Sequence, residues 1–248
     1  MIKALIFDLD GTLVETEEMK AKAYALVSQR LLGLPAPDAR AISLYKILVG
    51  STDEAVSLRM LADLDLEDAV KRASPSLHGE SGTWQALHRL RMEVYRARVG
   101  TPEAIRANRY EHNLTVLRAQ KAAGRKVAVA TSSYTDEARR VLAALGVLDL
   151  LDLVIGRDMA KHAKPDPEIY LLTMKELGVQ PEESVIIEDS PVGLAAAVAS
   201  GARWVCVATE FSRDALRARR DIDQNWVVYE PARVGDAVAR RLKEDLVP

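Results

Sequence analysis

Hydrophobic and polar positions fall into two textures along this chain. The opening run Ala4-Leu5-Ile6-Phe7 has the length and the β-branched and aromatic bias of a short buried strand. From Thr16 to about Gly100 the period is helical. Met19, Ala23, Leu26 and Val27 mark one apolar stripe; Ala55, Leu58, Leu61 and Ala62 mark a second; Leu87, Leu90, Val94 and Val99 mark a third. The break Leu34-Pro35-Ala36-Pro37-Asp38 ends the first helix, and Ser74 through Gly82 separates later ones. From about residue 110 strands and helices alternate. Helices over Asn113–Ala123, Asp136–Leu145, Pro167–Leu177 and Val192–Ser200 each run into a glycine. The strands Lys126–Ala130, Leu153–Ile155, Val185–Ile187, Trp204–Val207 and Val227–Tyr229 lie between and after them, and an amphipathic helix with Val234, Ala237, Val238 and Leu242 follows.

This alternation predicts an α/β fold, a parallel sheet covered by helices on both faces in a Rossmann-like three-layer arrangement. The first strand belongs to that sheet, so the all-helical segment is an insertion. The expected division is a core of residues 1–14 and 105–248 and an inserted helical cap of residues 15–104. With 248 residues, 48% hydrophobic and 28% charged, the composition is that of a globular chain. A net charge of −2 offers no field for nucleic acid. No apolar stretch approaches the roughly 20 residues of a membrane span. The amino terminus runs directly into the first strand without a signal peptide, so the expected location is cytoplasmic and the expected state a monomer or weak homodimer. Cys206 stands within Trp204-Val205-Cys206-Val207, where a small buried hydrophobe is expected.

Polar residues gather at the carboxyl ends of the strands, where open α/β sheets bind ligands. Asp8-Leu9-Asp10-Gly11-Thr12 follows the first strand. On extended backbone, residues two apart project to one side, which places Asp8 and Asp10 on one substrate. Aspartate and glycine also make ordinary turns. Thr131-Ser132-Ser133 ends the second strand, offering hydroxyls and main-chain N–H groups suited to phosphate, or simply a helix N-cap. Lys164-Pro165-Asp166-Pro167 offers a point positive charge at a rigid helix approach, or a solvated lysine before a helix. Glu188-Asp189-Ser190 ends the apolar strand Val185–Ile187; two adjacent buried carboxylates need a cation or hydrogen bonds. With Asp8 they form an oxygen-rich site suited to Mg²⁺.

The ordered quartet DLDGT, TSS, KPDP and EDS resembles the haloacid dehalogenase superfamily in its phosphatase branch, over nearly the whole chain. A helical insertion directly after the first motif is similar to the type found in β-phosphoglucomutase and phosphoglycolate phosphatase. The resemblance implies Asp8 as a nucleophile that forms an aspartyl-phosphate, with Asp10 as general acid and then general base. It implies phosphate binding by Thr131, Ser132 and Lys164. It also implies Mg²⁺ held by the Asp8 carboxylate, the Asp10 carbonyl and Asp189, with Glu188 nearby or through water. The electrostatics agree: a carboxylate and a phosphate dianion about 4 Å apart in partly dry surroundings repel by several kcal/mol per charge pair. The expected partner is a small phosphorylated metabolite, with no nucleic acid and no membrane.

Glu15, Glu18 and Lys20, at the hinge and first turns of the insertion, are candidate substrate contacts; a solvated, dipole-favoured helix start also accounts for Glu15, Glu17 and Glu18. His162 is expected on the surface. Arg89, Arg91, Arg96 and Arg98 are expected on a polar helix face or facing an anionic substrate. Where the mutase type carries a histidine, this chain has Lys20; Gly50-Ser51-Thr52-Asp53-Glu54 offers no arginine, and Tyr134 stands in place of a lysine. Asp53 there would repel a second phosphate. Hydrolysis is thus expected over a sugar-phosphate mutase reaction, which stays the alternative, and dehalogenases lack the second aspartate. A non-catalytic phosphoacceptor of the receiver type is shorter and lacks an acid two residues after its aspartate.

Overall fold

The computed structural model describes residues 1–49, 51–73 and 82–243. The chain divides into two compact units: Met1–Glu15 with the chain from Ile105 onward, and Thr16–Ala104. The first unit is built on one sheet with strands β1 (Ala4–Phe7), β2 (Lys126–Ala130), β3 (Leu153–Ile155), β4 (Ser184–Glu188), β5 (Arg203–Val207) and β6 (Val227–Val228). Their order is β3-β2-β1-β4-β5-β6 and every pairing is parallel. β1 is central: Leu5 lies in register with Val127 on one side and Val185 on the other. After β3 the chain crosses β2 and β1 to place β4, so the winding direction reverses beside β1. That reversal opens a crevice at the carboxyl ends of β1 and β4.

Strand alternation sorts side chains between two layers. Leu5, Phe7, Val127, Val129, Val185 and Ile187 pack on one face with residues of α7 (Glu111–Ala122), α8 (Thr135–Ala144) and α12 (Val234–Lys243). Ala4, Ile6, Ala128, Ala130, Ile186 and Cys206 pack on the other with α9 (Glu168–Leu177), α10 (Pro191–Ala199) and α11 (Arg213–Ala218). Both faces of β1, β2 and β4 are apolar because both are covered, which is why these strands read as continuous hydrophobic runs. Helix α9 ends on Gly178 in the left-handed conformation (φ 66°), the expected C-terminal signal. Cys206 is buried and unpaired, as expected of a small hydrophobe, and burial pushes its thiol well above the usual range.

The second unit holds α1 (Glu17–Leu32), α2 (Ala39–Leu48), α3 (Asp53–Asp63), α4 (Glu67–Ala73) and α5 (Thr83–Val94), which continues as a wider π-helical turn over Tyr95–Val99; the short α6 (Pro102–Ala107) spans the junction of the units. The break at Leu34–Asp38 is present: Asp38 caps α2, accepting from the Arg40 N–H. The break at Ser74–Gly82 falls outside the described residues up to Ser81, as does Gly50. The stripe expected on α3 is out of phase. Val56, Ser57, Met60 and Leu61 are buried, while Ala55, Leu58 and Ala62 are exposed. Both sets have helical spacing, and packing against Tyr24 and Tyr45 selects the second. Among the described residues no helix is long and apolar enough to cross a membrane.

Leu5 is wholly buried at the middle of the sheet. Leu5→Ala is expected to cost about 2–5 kcal/mol of stability, from lost transfer energy plus an incompletely collapsed cavity. Urea unfolding would measure it, and a loss below about 1 kcal/mol would mean that β1 is not the central strand.

Candidate active site

Asp8 leaves β1 with its N–H still on the Ile187 carbonyl (2.9 Å), so the sheet ladder fixes its backbone. The strand ends there. Contrary to the extended-chain expectation, Asp10 is not placed by strand alternation: the chain turns, with the Leu13 N–H on the Leu9 carbonyl (2.8 Å) and the Gly11 N–H on the Val14 carbonyl (2.8 Å). Gly11 has φ 84°, and a Cβ there would run into the Asp189 carboxylate. The turn is pinned from α7, where buried Asn113 donates to the Thr12 carbonyl (2.6 Å), and from Tyr110, whose N–H donates to the Leu13 carbonyl (2.9 Å).

Lys164 joins the motifs. Its buried ammonium donates to Asp8 Oδ1 (2.7 Å), Glu188 Oε1 (2.6 Å) and the Ala130 carbonyl (3.2 Å), and lies 4.7 Å from the centre of the Tyr170 ring. Burial alone would lower its pKa; Asp8 and Glu188 more than offset that and hold it above the usual lysine range. Asp8 is pushed up to about 8 by burial and by the charges of Glu188 and Asp10, against the downward pull of Lys164. Burial also acts to raise Glu188, but Lys164, the Tyr170 hydroxyl and the Asp189 N–H together hold it below the usual carboxylate range.

Glu188 is filled with donors. Oε1 accepts from Lys164 and the Tyr170 hydroxyl (2.6 Å each); Oε2 accepts from the Asp189 N–H (3.0 Å), the Ser190 N–H (3.3 Å) and Ser190 Oγ (3.3 Å). Gly193 lets α10 approach it, since a Cβ there would collide with the Glu188 carboxylate. Asp189 accepts from the Thr12 hydroxyl (3.2 Å). Asp8, Glu188 and Asp189 each present a ligand atom within 4.8 Å of the others, all three buried. Three buried carboxylates with hard oxygen donors this close to one another fit a divalent cation such as Mg²⁺.

The turn after β2 supplies the fourth motif. Thr131 is buried, and its Oγ1 accepts from the Ser133 N–H (3.1 Å). Asp10 Oδ2 accepts from Ser133 Oγ at 2.6 Å and from Thr131 Oγ1 at a long 3.4 Å. Ser132 is exposed, and its hydroxyl takes no part in these bonds. Sequence reasoning thus identified the motif residues and passed over Ser133, Tyr170, Thr12, Asn113 and Gly193. Ser133 carried a signal as the third hydroxyl of TSS; Tyr170 read as an ordinary core aromatic.

The insertion's candidates meet protein partners. Glu15, expected at the start of the cap, belongs to the sheet unit: its N–H donates to the Asn108 carbonyl (2.8 Å) and its carboxylate accepts from the Tyr110 hydroxyl (2.5 Å). Glu18 is exposed and paired with Lys22 (2.8 Å), the solvated helix start. Lys20 is partly buried on Glu17 (3.0 Å), and Glu17 also accepts from the Tyr45 hydroxyl (2.8 Å), so the buried acid of this turn is Glu17. Arg91 departs most from expectation. It is buried, bonded to Asp53 (2.6 Å) and 5.5 Å from the Tyr24 ring centre, so Asp53 is a paired anion and not a bare repulsive charge. His162 is exposed, with Nδ1 2.7 Å from Glu168, as expected of a surface histidine.

The chain is matched over residues 2–201 by the family model for haloacid dehalogenase-like hydrolases. It is 30% identical over 200 residues to a phosphorylated carbohydrates phosphatase of Thermotoga maritima, covering 81% of this chain and 82% of that protein. It is also 30% identical over 221 residues to the validoxylamine A 7′-phosphate phosphatase of Streptomyces hygroscopicus subsp. limoneus, covering 87% and 90%. A crystal structure of β-phosphoglucomutase from Clostridium difficile shares the fold at a TM-score of 0.72, with 22% identity and all of both chains covered. The strand order, the motifs at the carboxyl ends of the strands and these matches agree: the chain belongs to the haloacid dehalogenase-like hydrolases, and these two sequence relatives are phosphatases.

Proposed function

We propose that this hydrolase is a Mg²⁺-dependent phosphatase acting on a small phosphomonoester, a sugar phosphate or similar metabolite, through a phosphoryl group carried on Asp8. The observation that carries the reading is the Lys164 ammonium fixed 2.7 Å from one oxygen of a buried aspartate at the carboxyl end of the central strand. Relatives named for phosphorylated carbohydrates and for validoxylamine A 7′-phosphate support the substrate class.

An Asp8 oxygen forms the new bond to phosphorus as the bond from phosphorus to the leaving oxygen breaks. Asp10 gives its proton to that leaving oxygen, and the product alcohol departs. Asp10, now a carboxylate, takes a proton from water as the water oxygen attacks phosphorus. The Asp8–phosphorus bond then breaks, which restores both aspartates and releases inorganic phosphate. Lys164, the Thr131 hydroxyl and the main-chain N–H of Ser132 bind the phosphoryl oxygens, and Lys164 also favours the ionised form of the nucleophile. Asp8, Asp189 and the Asp10 carbonyl would hold Mg²⁺, with Glu188 beside them orienting Lys164; the ion would supply the positive charge that lets a carboxylate meet a phosphate dianion.

Asp8→Asn is expected to keep the fold, read by an unchanged far-ultraviolet spectrum. Phosphate release from a sugar-phosphate panel should fall by about 10³-fold or more, as when a nucleophile is removed. Exhaustive chelation should abolish turnover and Mg²⁺ should restore it. Normal rates in either case would remove Asp8 or the ion from the reaction.

The mutase reading shares Asp8 and Asp10 and parts at the fate of the phosphoryl group. With β-glucose 1-phosphate and a trace of the bisphosphate, inorganic phosphate is expected as the product. Glucose 6-phosphate accumulating faster than phosphate would overturn the phosphatase assignment.

A further inference from the structure

The geometry points to Ser133 as the residue that positions Asp10 for proton transfer, while Thr131 serves the phosphoryl group. The inference rests on the phosphatase reading and assigns a task within it. Two hydroxyls of one turn lie near the Asp10 carboxylate and they are not equivalent. Ser133 Oγ is 2.6 Å from Oδ2, the length of a strong bond from a hydroxyl to an ionised carboxylate; Thr131 Oγ1 is 3.4 Å away, at the edge of hydrogen bonding. Thr131 Oγ1 already accepts the Ser133 N–H at 3.1 Å, which leaves its own proton to be donated toward a phosphoryl oxygen.

The backbone that carries Ser133 is fixed on both sides. The Thr131 N–H donates to the Ile155 carbonyl (3.0 Å), and the Ser133 carbonyl accepts from the Arg157 N–H (2.9 Å). Two residues on, Thr135 donates through its N–H (2.7 Å) and its hydroxyl (2.8 Å) to Asp158. Gly156 permits this stitching, since a Cβ there would collide with the Thr135 backbone. The Ser133 hydroxyl therefore stands on a braced loop, whereas Asp10 follows the sheet ladder on a partly exposed turn. A carboxyl group on a turn gains most from an outside anchor, because small misplacements of an acid cost rate steeply.

General acid catalysis matters in proportion to the basicity of the leaving oxygen. Loss of positioning thus has a signature that a structural defect lacks. In Ser133→Ala, kcat/KM for an alkyl phosphate such as a hexose phosphate should fall about 10–100-fold, part of the roughly 10²–10⁴-fold that full proton transfer contributes. For 2,4-dinitrophenyl phosphate, whose leaving group needs no proton, kcat/KM should change less than about threefold, and a burst of phenolate should appear as water attack on the phosphorus carried by Asp8 slows. Ser133→Thr, which keeps the hydroxyl, should recover most of the alkyl rate. On an Asp10→Asn background, Ser133→Ala should change little, since coupled residues are not additive.

Equal losses on alkyl and aryl phosphates, an unchanged alkyl rate, or full additivity with Asp10→Asn would each overturn the role of Ser133 while leaving the phosphatase reading intact. A wild-type protein that releases phosphate from neither substrate would defeat the phosphatase reading and the inference with it. The Asp10→Asn comparison and the Thr variant keep the test decisive if Ser133→Ala folds poorly.

Discussion

The ammonium of Lys164, enclosed between Asp8 and Glu188, is the constraint on which the site depends. A lysine with 5% of its side chain exposed is tolerable only if its charge is met by carboxylates, and two buried carboxylates beside each other are tolerable only with such a cation. Each member is thus costly alone. This couples three places in the chain: the end of β1, the end of β4 and the loop before α9. Tyr170 completes the set from the first turn of α9, donating to Glu188 and placing its ring beneath the ammonium. The loop carrying Lys164 is therefore fixed by charge on one side and by the apolar packing of Ile169 and Tyr170 on the other.

The remaining negative charge is dealt with by hydroxyls. Asp189 accepts from the Thr12 hydroxyl and Asp10 from that of Ser133, neutral donors that orient the two carboxylates. Both carboxylates are thus held in place by the protein itself. Close approach of the main chain calls for glycine at two positions here. At Gly11 and Gly193 the main chain must come within side-chain distance of Asp189 and Glu188, and any Cβ would displace the carboxylates.

The sheet unit was legible in the sequence because both periods and punctuation agreed there. Strands buried on both faces read as Leu5-Ile6-Phe7, Val127–Ala130 and Val185–Ile187, and the motifs sit where those runs stop. What the sequence does not carry is the direction of a side chain on a turn. Among Thr131, Ser132 and Ser133, composition treats three hydroxyls alike; folding buries the first, exposes the second and aims the third at Asp10. The phase of α3 was hidden for a related reason. Ala55-Leu58-Leu61-Ala62 and Val56-Met60-Leu61 are both amphipathic, and only the partners Tyr24 and Tyr45 distinguish them.

The helical insertion adds a caution about reading charge by position. Asp53 in isolation is an anion that would repel phosphate, and Arg91 one of several arginines on an apparently polar stripe. Folded, they are one object: the guanidinium is 3% exposed, donates to Asp53 at 2.6 Å, and lies over Tyr24, whose hydroxyl pairs with Ser57 at 3.1 Å. Burial would lower the pKa of Arg91, but Asp53 holds it above the usual range. The arginine Nε is buried without a hydrogen-bond partner, so part of its donor capacity is spent for no return. The pair ties the start of α3 to α5. How charge is distributed over this segment is accordingly a property of the packing that no count of acidic and basic residues can supply.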